Sequence, residues 1–171
     1  AAAAGLAVAN GIVVDETLAT DDPAISAIGD CASVPGPLGT HLRLESVQAA
    51  MDQARHLAKR IVHGTAAAYH AVPWFWSDQG ALKLQIAGLT SGADRFEAIR
   101  QEELVTVIVG YRDGQLASVE TINAPGEHMA ARKLLGREAP VSADELRDSG
   151  FDLRALAKGQ AGSRDRSVAS A

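Results

Sequence analysis

Cysteine is almost absent from this sequence: Cys31 is the single one among 171 residues. One thiol excludes a disulfide framework, a CxxC redox pair and a metal cluster held by several thiolates. A chain without disulfides suits a reducing compartment, so we expect a cytoplasmic protein. No base or resolving thiol can be named for Cys31, so we expect it to pack as a small side chain and not to act as a nucleophile.

The sequence also lacks long apolar runs and glycine-rich fingerprints. No apolar run approaches the ~20 residues that span a bilayer, and the first residues lack the basic flank and apolar centre of a signal peptide. No G-x-G-x-x-G occurs, so the usual backbone grip on a dinucleotide pyrophosphate is missing. The chain begins without an initiator methionine, and we interpret it as part of a longer protein.

Two further ligand classes are disfavoured by what the chain has little of. The formal net charge of −5 argues against a nucleic-acid partner, which needs clustered positive charge. The histidines show no metal-ligand spacing, so we expect no metal site. They are His41, His56, His63, His70 and His128. We therefore expect neither nucleic acid nor a membrane among the partners.

An apolar run that ends in glycine and an acid is the most informative stretch. Ile25–Ile28 predicts a buried strand, and Gly29-Asp30 follows it directly. A strand whose carboxyl end opens onto a ligand has this pattern. Gly29 lets another group approach the backbone, because it has no Cβ. Asp30, when ionised, only accepts hydrogen bonds and would suit a polyol. From these residues alone, an ordinary loop acid is at least as good an interpretation.

The clearest helix lies at 47–62. Its apolar residues recur every three or four positions and form one stripe, which predicts an amphipathic helix that packs on a sheet. They are Val47, Ala50, Met51, Ala54, Leu57, Ala58, Ile61 and Val62. Ser46 is a suitable N-cap and Gly64 a suitable C-terminal stop. We expect the opposite, charged face to be solvated; it carries Asp52, Arg55, His56, Lys59 and Arg60.

Short strands and helices are predicted on both sides of this helix, which indicates two successive units that each mix strands and helices. Alternating and β-branched runs predict the strands, and apolar periodicity with caps predicts the helices. Residues 33–42 are rich in proline and glycine and are typical of an irregular loop. Residues 65–72 are mostly small and predict a linker. The composition of residues 159–171 predicts a disordered tail. The predicted strands are 11–15, 82–86, 104–111 and 116–123, the last two as a hairpin, and the predicted helices are 127–135 and one after the capping box Ser142-Ala143-Asp144-Glu145.

Four blocks follow one another along the chain: Thr20-Asp21-Asp22-Pro23, Ala27-Ile28-Gly29-Asp30-Cys31-Ala32, Arg43-Leu44-Glu45-Ser46-Val47-Gln48 and Pro73-Trp74-Phe75-Trp76-Ser77-Asp78-Gln79. In this order they resemble the FAD-dependent ferredoxin reductases of bacterial oxygenase systems, the family of putidaredoxin reductase and biphenyl dioxygenase ferredoxin reductase. The resemblance covers residues 5–156. It implies an α/β remnant of an FAD-binding domain at 1–71, a reductase C-terminal α+β domain at 72–158 and a tail at 159–171.

The resemblance implies a flavin-facing group of residues in the first part of the chain. Asp30 would accept a hydrogen bond from a ribityl hydroxyl of FAD, beside Gly29. The start of the predicted helix, at Ser46 and Val47, would meet the pyrimidine side of the flavin. A helix N-terminus has free N–H groups and partial positive charge, which suits the negative charge of the reduced flavin. On amphipathicity alone, a purely structural helix would be the better interpretation.

The resemblance also implies residues near the nicotinamide and on the electron-exit side. Trp76 would lie beside the isoalloxazine ring, where an indole packs and excludes water. Trp74 and Phe75 are interpreted as the apolar core of the hinge between the two units. Glu45 would contact a nicotinamide carboxamide, or else is simply an acid that is favourable near a helix start. Arg55 would dock an acidic ferredoxin, or else belongs to a solvated helix face. Asp78 and Gln79 are expected to make structural hydrogen bonds.

For the complete protein, the resemblance implies electron transfer from NAD(P)H through FAD to a two-iron two-sulfur ferredoxin of an oxygenase system. The chain alone is expected to be inactive, because the pyrophosphate grip and the nicotinamide domain are missing. No residue of this chain is assigned a catalytic role. Two alternatives remain open. One is a related FAD-dependent NADH oxidoreductase with another acceptor, such as a rubredoxin reductase or an apoptosis-inducing-factor-like oxidase. The other is a stand-alone α+β interaction module.

Overall fold

Separate hydrophobic cores organise the two parts of the chain, which the computed structural model describes over residues 1–64 and 67–159. The division between the two units falls between Pro73 and Trp74. The first unit combines a small mixed sheet with one long helix, and the second combines an antiparallel sheet with three short helices. This is the α/β and α+β combination that the sequence predicts.

The first unit contains a small three-stranded sheet. β1 (Ile12–Val13) runs parallel to β2 (Ala32–Pro35), and β2 pairs antiparallel with β3 (His41–Leu42). Small and β-branched side chains from these strands and their loops fill the core, and Tyr69 packs against it from beyond the helix. The buried members are Val14, Leu18, Ala27, Ala32 and Val34.

Two predictions for this unit are wrong. Residues 25–28 are not a strand: among the described residues, they join a neighbouring segment only through a bridge between Ala19 and Ser26. The strand of this region is β2, which starts after the single 3-10 turn Gly29–Cys31, so Asp30 precedes a strand and does not end one. Residues 33–42 are not an irregular loop, because β2 and β3 form a hairpin there. The proline and glycine residues make its turn and do not abolish pairing.

The predicted helix is confirmed, together with both caps. α1 (Val47–His63) starts at Ser46, whose Oγ accepts a hydrogen bond from the N–H of Ala49 at 3.1 Å. It ends at Gly64, which has a φ of +63° and so takes the left-handed conformation that glycine adopts without strain.

The predicted orientation of α1 is wrong. Most of the apolar stripe is exposed, with 61% of Val47 and 74% of Val62 accessible to solvent. The side that contacts the rest of the unit carries Ala49, Gln53 and Arg60. The guanidinium of Arg60 donates to the carbonyl of Thr17 at 2.7 Å and to the hydroxyl of Ser26. The neighbouring loops present polar groups, and a polar helix face satisfies them where an apolar stripe could not.

The second unit is built on a five-stranded antiparallel sheet with the order β4-β5-β8-β7-β6. The three strands that the sequence predicts in this unit are confirmed. The other two, at residues 74–79 and 95–101, were not predicted, because they contain only one β-branched residue, Ile99, and several charged or polar ones. The strands are β4 (Trp74–Gln79), β5 (Leu82–Gly88), β6 (Arg95–Gln101), β7 (Thr106–Arg112) and β8 (Gln115–Ile122).

The predicted hairpin between β7 and β8 is confirmed, and its turn explains the sequence. Asp113 and Gly114 have φ values of +50° and +73°, which is the pattern of a two-residue type I′ turn. Arg112 pairs with Gln115 directly across that turn. The aspartate–glycine pair therefore sets the register next to the turn, and an irregularity between Gly110 and Tyr111 shifts the register by one residue for the rest of the two strands.

Helices cover one face of this sheet. α2 (Pro125–Leu135) packs on β5 and β8 and is closed by Gly136, as predicted, while α3 (Ala143–Asp148) and α4 (Leu153–Gly159) complete the layer. Fully buried residues of the sheet and helices form the core, among them Ala87, Val107, Val109, Val119, Ala131, Leu134 and Leu146.

The predicted capping box at α3 forms only in part. The Oγ of Ser142 accepts from the N–H of Glu145 at 3.0 Å, as a cap should. The carboxylate of Glu145 instead accepts from Nη1 of Arg137 at 2.7 Å, because that guanidinium offers a stronger, charge-assisted donor than a backbone N–H. The predicted tail lies outside the described residues except for Gly159, the last residue of α4. None of the helices within the described ranges is long and apolar enough to cross a bilayer.

Candidate cofactor site

A single buried hydrogen bond holds the Gly29 turn against α1. The N–H of Gly29 donates to Oε1 of Gln53 at 2.6 Å, and Gln53 is 1% exposed. Gly29 has a φ of +68°, which favours glycine over any residue with a side chain. A Cβ placed on Gly29 would lie 3.5 Å from the Cβ of Ala50, so the turn lies directly against the first turn of α1.

Asp30 is exposed and immediately follows this contact. Within residues 1–64 and 67–159, no group donates a hydrogen bond to its carboxylate. Both carboxylate oxygens are therefore available as acceptors one residue away from the helix contact. A ligand with hydroxyl donors would fit this position.

The start of α1 offers complementary donors. Ser46 accepts from the N–H of Ala49 through its side chain and from that of Ala50 through its carbonyl. The N–H groups of Val47 and Gln48 have no acceptor in the described part of the chain. Free N–H groups at the positive end of a long helix favour a negatively polarised carbonyl or an anion. The structure thus holds Gly29 against α1, with Asp30 as the next residue of the chain and with Ser46 and Val47 at the start of the same helix.

Two other predicted residues of the first unit, Glu45 and Arg55, have side chains that form ion pairs. Glu45 forms an ion pair with Arg43 at 2.6 Å, in which both side chains are partly exposed. Arg55 lies on an exposed side of α1 and pairs with Asp52 at 3.2 Å. Both pairs are surface pairs of modest strength, so these side chains can exchange partners at little cost.

Trp76 lies on β4 in the second unit, beside Trp74. Their ring centroids are 5.4 Å apart, and both indoles lie on the face of the sheet that α2 covers. Phe75 lies on the opposite face and is 41% exposed, because neighbouring residues of a strand alternate in direction. Trp74 and Phe75 thus lie on opposite faces of the sheet, and their interpretation as the apolar core of the hinge stays a prediction.

Sequence reasoning missed Gln53 and Arg60, the two residues that join α1 to its loops. A signal was present: Ala49, Gln53 and Arg60 are spaced by four and seven residues and so share one helix face. This face was overlooked because the competing stripe is more apolar. The polar groups of the loops, which decide the outcome, cannot be read from helical periodicity.

Two residues near α1, Asp15 and Tyr69, have pKa values that differ from the ordinary ones. Burial raises the pKa of Asp15, but hydrogen bonds from the N–H of Ala19 and from Thr17, with Arg60 nearby, outweigh it and lower the pKa. Burial and the charge of Asp52 raise the pKa of Tyr69 to about 12, so this phenol stays protonated. In the described ranges, no group of three or more His, Cys, Asp or Glu residues is placed to hold a metal ion.

The residues at the start of α1 fit one side of a flavin. Asp30 provides acceptors for ribityl hydroxyls, the free N–H groups of Val47 and Gln48 suit the pyrimidine carbonyl, and Gly29 leaves the backbone open. The sequence contains no glycine-rich fingerprint for a pyrophosphate.

Two family models match the chain. Residues 74–157 match the reductase C-terminal domain, and residues 1–54 match the pyridine nucleotide-disulphide oxidoreductase domain. Rhodocoxin reductase of Rhodococcus erythropolis is 51% identical over 158 residues, which is 90% of this chain and 36% of that protein. Putidaredoxin reductase of Pseudomonas putida is 38% identical over 158 residues, or 91% of this chain and 37% of that protein. A rubredoxin-NAD(+) reductase of Ectopseudomonas oleovorans is 40% identical over 124 residues, 71% of this chain and 32% of its own length.

Solved structures of ferredoxin reductases are also similar to this chain. The ferredoxin reductase for the CYP199A2 system from Rhodopseudomonas palustris is 45% identical with a TM-score of 0.81, over 91% of this chain and 39% of that one. Putidaredoxin reductase in its covalent complex with putidaredoxin is 36% identical with a TM-score of 0.79, over 92% of this chain and 39% of that one. The chain thus spans little more than a third of these relatives. It belongs to the pyridine nucleotide-disulphide oxidoreductase family, carries a reductase C-terminal domain, and is similar to ferredoxin reductases over about nine tenths of its length.

Proposed function

We propose that this chain is the flavin-facing and partner-facing part of an NAD(P)H-dependent ferredoxin reductase. In the complete protein, electrons would pass from NAD(P)H through FAD to a two-iron two-sulfur ferredoxin that serves an oxygenase in the cytoplasm. The observation that carries the proposal is the hydrogen bond that Gln53 accepts from the N–H of Gly29, which holds the turn containing Asp30 against the helix that begins with open N–H groups. The sequence identity of 51% to rhodocoxin reductase and of 38% to putidaredoxin reductase supports the same class of reaction.

The chain contributes binding and positioning to this reaction. When bound, FAD supplies the redox chemistry, because it takes a hydride from a nicotinamide and gives up electrons one at a time. Asp30 would hold a ribityl hydroxyl, and Gly29 would leave room for it. Ser46 fixes the helix start, so that the N–H groups of Val47 and Gln48 can stabilise negative charge on the pyrimidine side.

Three further residues would act around the flavin. Trp76 would cover the isoalloxazine ring and exclude water from it. Glu45 would hold the carboxamide of the nicotinamide, for which its exposed ion pair with Arg43 must rearrange. Arg55 would attract an acidic ferredoxin to the exposed side of α1.

The chain alone should not retain flavin. Asp30 and the helix start cannot replace the contacts to the pyrophosphate and adenine, and binding must also offset ~4 kcal/mol or more of lost translational and rotational freedom. The test is to mix the purified chain with FAD and pass it through a desalting column. We expect colourless protein in the void volume. Stoichiometric flavin in that fraction would contradict the proposed division of the binding site.

One alternative acceptor has its own support. Rubredoxin-NAD(+) reductases are also similar to this chain, so rubredoxin could replace ferredoxin as the acceptor. The complete protein, with NADH or NADPH as donor, should be assayed against a two-iron two-sulfur ferredoxin, a rubredoxin and molecular oxygen. We expect the highest kcat/KM with ferredoxin. A higher value with rubredoxin, or turnover with oxygen alone, would overturn the choice of acceptor, and a complete protein without flavin absorbance would instead favour an interaction module.

A further inference from the structure

Both tryptophans of the chain lie in one stack on an edge strand. Trp74 and Trp76 are on β4, which pairs only with β5 in the described sheet. Their rings are tilted by 35° with centroids 5.4 Å apart. Across the strand pair, Trp74 lies opposite Ala87, a small and fully buried residue. The sheet thus supports these indoles from one side only.

The second support comes from α2. The imidazole of His128 packs against Trp74 with a centroid distance of 5.4 Å, and the guanidinium carbon of Arg132 lies 4.3 Å from the centroid of the same indole. His128 and Arg132 are four residues apart, so they project from one face of the helix. Trp74 is therefore held between α2 and Trp76.

The contacts of Trp74 with His128 and Arg132 are packing and cation–π contacts, and no hydrogen bond is among them. His128 is 1% exposed, and neither of its ring nitrogens has a partner among the described residues; the same is true of Nε1 of Trp74. Burial, together with the charge of Arg132, lowers the pKa of His128 to about 4, so the imidazole is neutral at pH 7. An apolar residue at position 128 would fill a merely structural position without leaving two buried ring nitrogens unpaired.

We propose that His128 and Arg132 are positioning residues for electron transfer, which clamp Trp74 and through it fix the indole of Trp76. The proposal rests on the proposed function, in which Trp76 covers the flavin on the side where electrons leave. The indole of Trp76 packs against that of Trp74, and the guanidinium of Arg132 lies over the ring of Trp74. Removing the contact of Arg132 with Trp74 should therefore give the indole of Trp76 more freedom to move.

The test uses matched variants of α2 in the complete reductase. Arg132→Gln removes the cation and Arg132→Lys keeps it, while Lys133→Gln removes an exposed cation from the next position of the same helix. We expect Arg132→Gln to lower kcat for ferredoxin about threefold to tenfold with little change in KM, and Arg132→Lys to restore most of it. Activity with ferricyanide, which needs no docked protein, should fall less.

A spectroscopic readout separates positioning from stability. Trp74 and Trp76 are the only tryptophans of the chain, so the near-ultraviolet circular dichroism of the 171-residue chain reports on their stack. The tryptophan bands should weaken in Arg132→Gln and in His128→Ala, and stay unchanged in Lys133→Gln. Unchanged bands and an unchanged ratio of ferredoxin to ferricyanide activity in folded Arg132→Gln would overturn the proposal.

Trp76→Ala in the same reductase tests the proposed function separately. If Trp76→Ala slows ferredoxin reduction and Arg132→Gln does not, only the positioning role fails. If Trp76→Ala has no effect while Arg132→Gln weakens the tryptophan bands, the stack exists but the assignment of Trp76 to the flavin fails, and the positioning role fails with it.

Discussion

Gln53 accepts a hydrogen bond from the N–H of Gly29 across 24 residues of sequence, and this buried pair joins the acidic turn to α1. Loss of the acceptor would leave a buried backbone N–H unpaired, which costs about 1–3 kcal/mol. We therefore expect Gln53→Leu to lower the free energy of unfolding of the complete reductase by about that amount and to weaken its hold on FAD.

The control for Gln53→Leu is Gln48→Leu. Gln48 is on the same helix, and among the described residues its side-chain amide bonds only to the side chain of Asp52, while its backbone N–H at the helix start is kept in the leucine variant. Urea unfolding and flavin content should be close to wild type in this control. Equal losses in the two variants would show that the loss of any glutamine in α1, and not the contact with Gly29, is responsible.

His128 should make the second unit less stable in mild acid. Its pKa is lowered from 6.5 to about 4 in the folded chain by burial and by Arg132, so between these values the unfolded chain binds a proton that the folded chain does not. The stabilisation is complete above pH 6.5 and is lost as pH falls toward 4. The free energy of unfolding should therefore be about 2 kcal/mol lower at pH 5 than at pH 7.

The measurement is urea unfolding of the chain at the two pH values, followed by the fluorescence of Trp74 and Trp76. His128→Phe keeps an aromatic ring against Trp74 and cannot titrate, so its stability should depend less on pH by that amount. Parallel pH profiles for wild type and His128→Phe would show that the folded imidazole titrates normally.

Arg55 should control the rate at which ferredoxin associates with the complete reductase. Arg55→Glu should lower the association rate constant at low salt about threefold or more and flatten its dependence on salt, because steering by charge weakens. Asp52→Asn removes the acid that pairs with Arg55 and should change the rate in the opposite direction. Stopped-flow kinetics at several salt concentrations checks both, and wild-type rates for both variants would place the docking surface elsewhere.

Local signals predicted much of the fold. The caps of α1 and the Asp113-Gly114 turn follow from conformations that single residues prefer, so sequence was sufficient for them. The orientation of α1 was not predictable in this way, because it depends on which loop groups need donors, as Thr17 and Ser26 need Arg60. Local pattern also gave a strand at Ile25–Ile28, although pairing depends on a neighbour that is distant in sequence.

The candidate site was predictable only in pieces. Gly29 and Asp30 were recognised from an apolar run that ends abruptly, and Ser46 from its capping chemistry. Their proximity depends on Gln53, whose long-range bond leaves no periodic signal. The Trp74–His128 contact was likewise hidden, since an edge strand and a helix about fifty residues later meet only in the folded unit.

The central claim is that Asp30 and the start of α1 hold the flavin, and flavin retention by Asp30→Ala tests it most directly. The variant should be made in the complete reductase, with Asp21→Ala, another exposed acid of the same loop region, as its control. A charge-assisted hydrogen bond to a hydroxyl contributes ~1.5–3 kcal/mol, so its loss should weaken FAD binding about tenfold or more. After dialysis, we predict clearly lower flavin content in Asp30→Ala than in wild type and full content in Asp21→Ala, whereas equal FAD occupancy in Asp30→Ala and wild type would contradict the account.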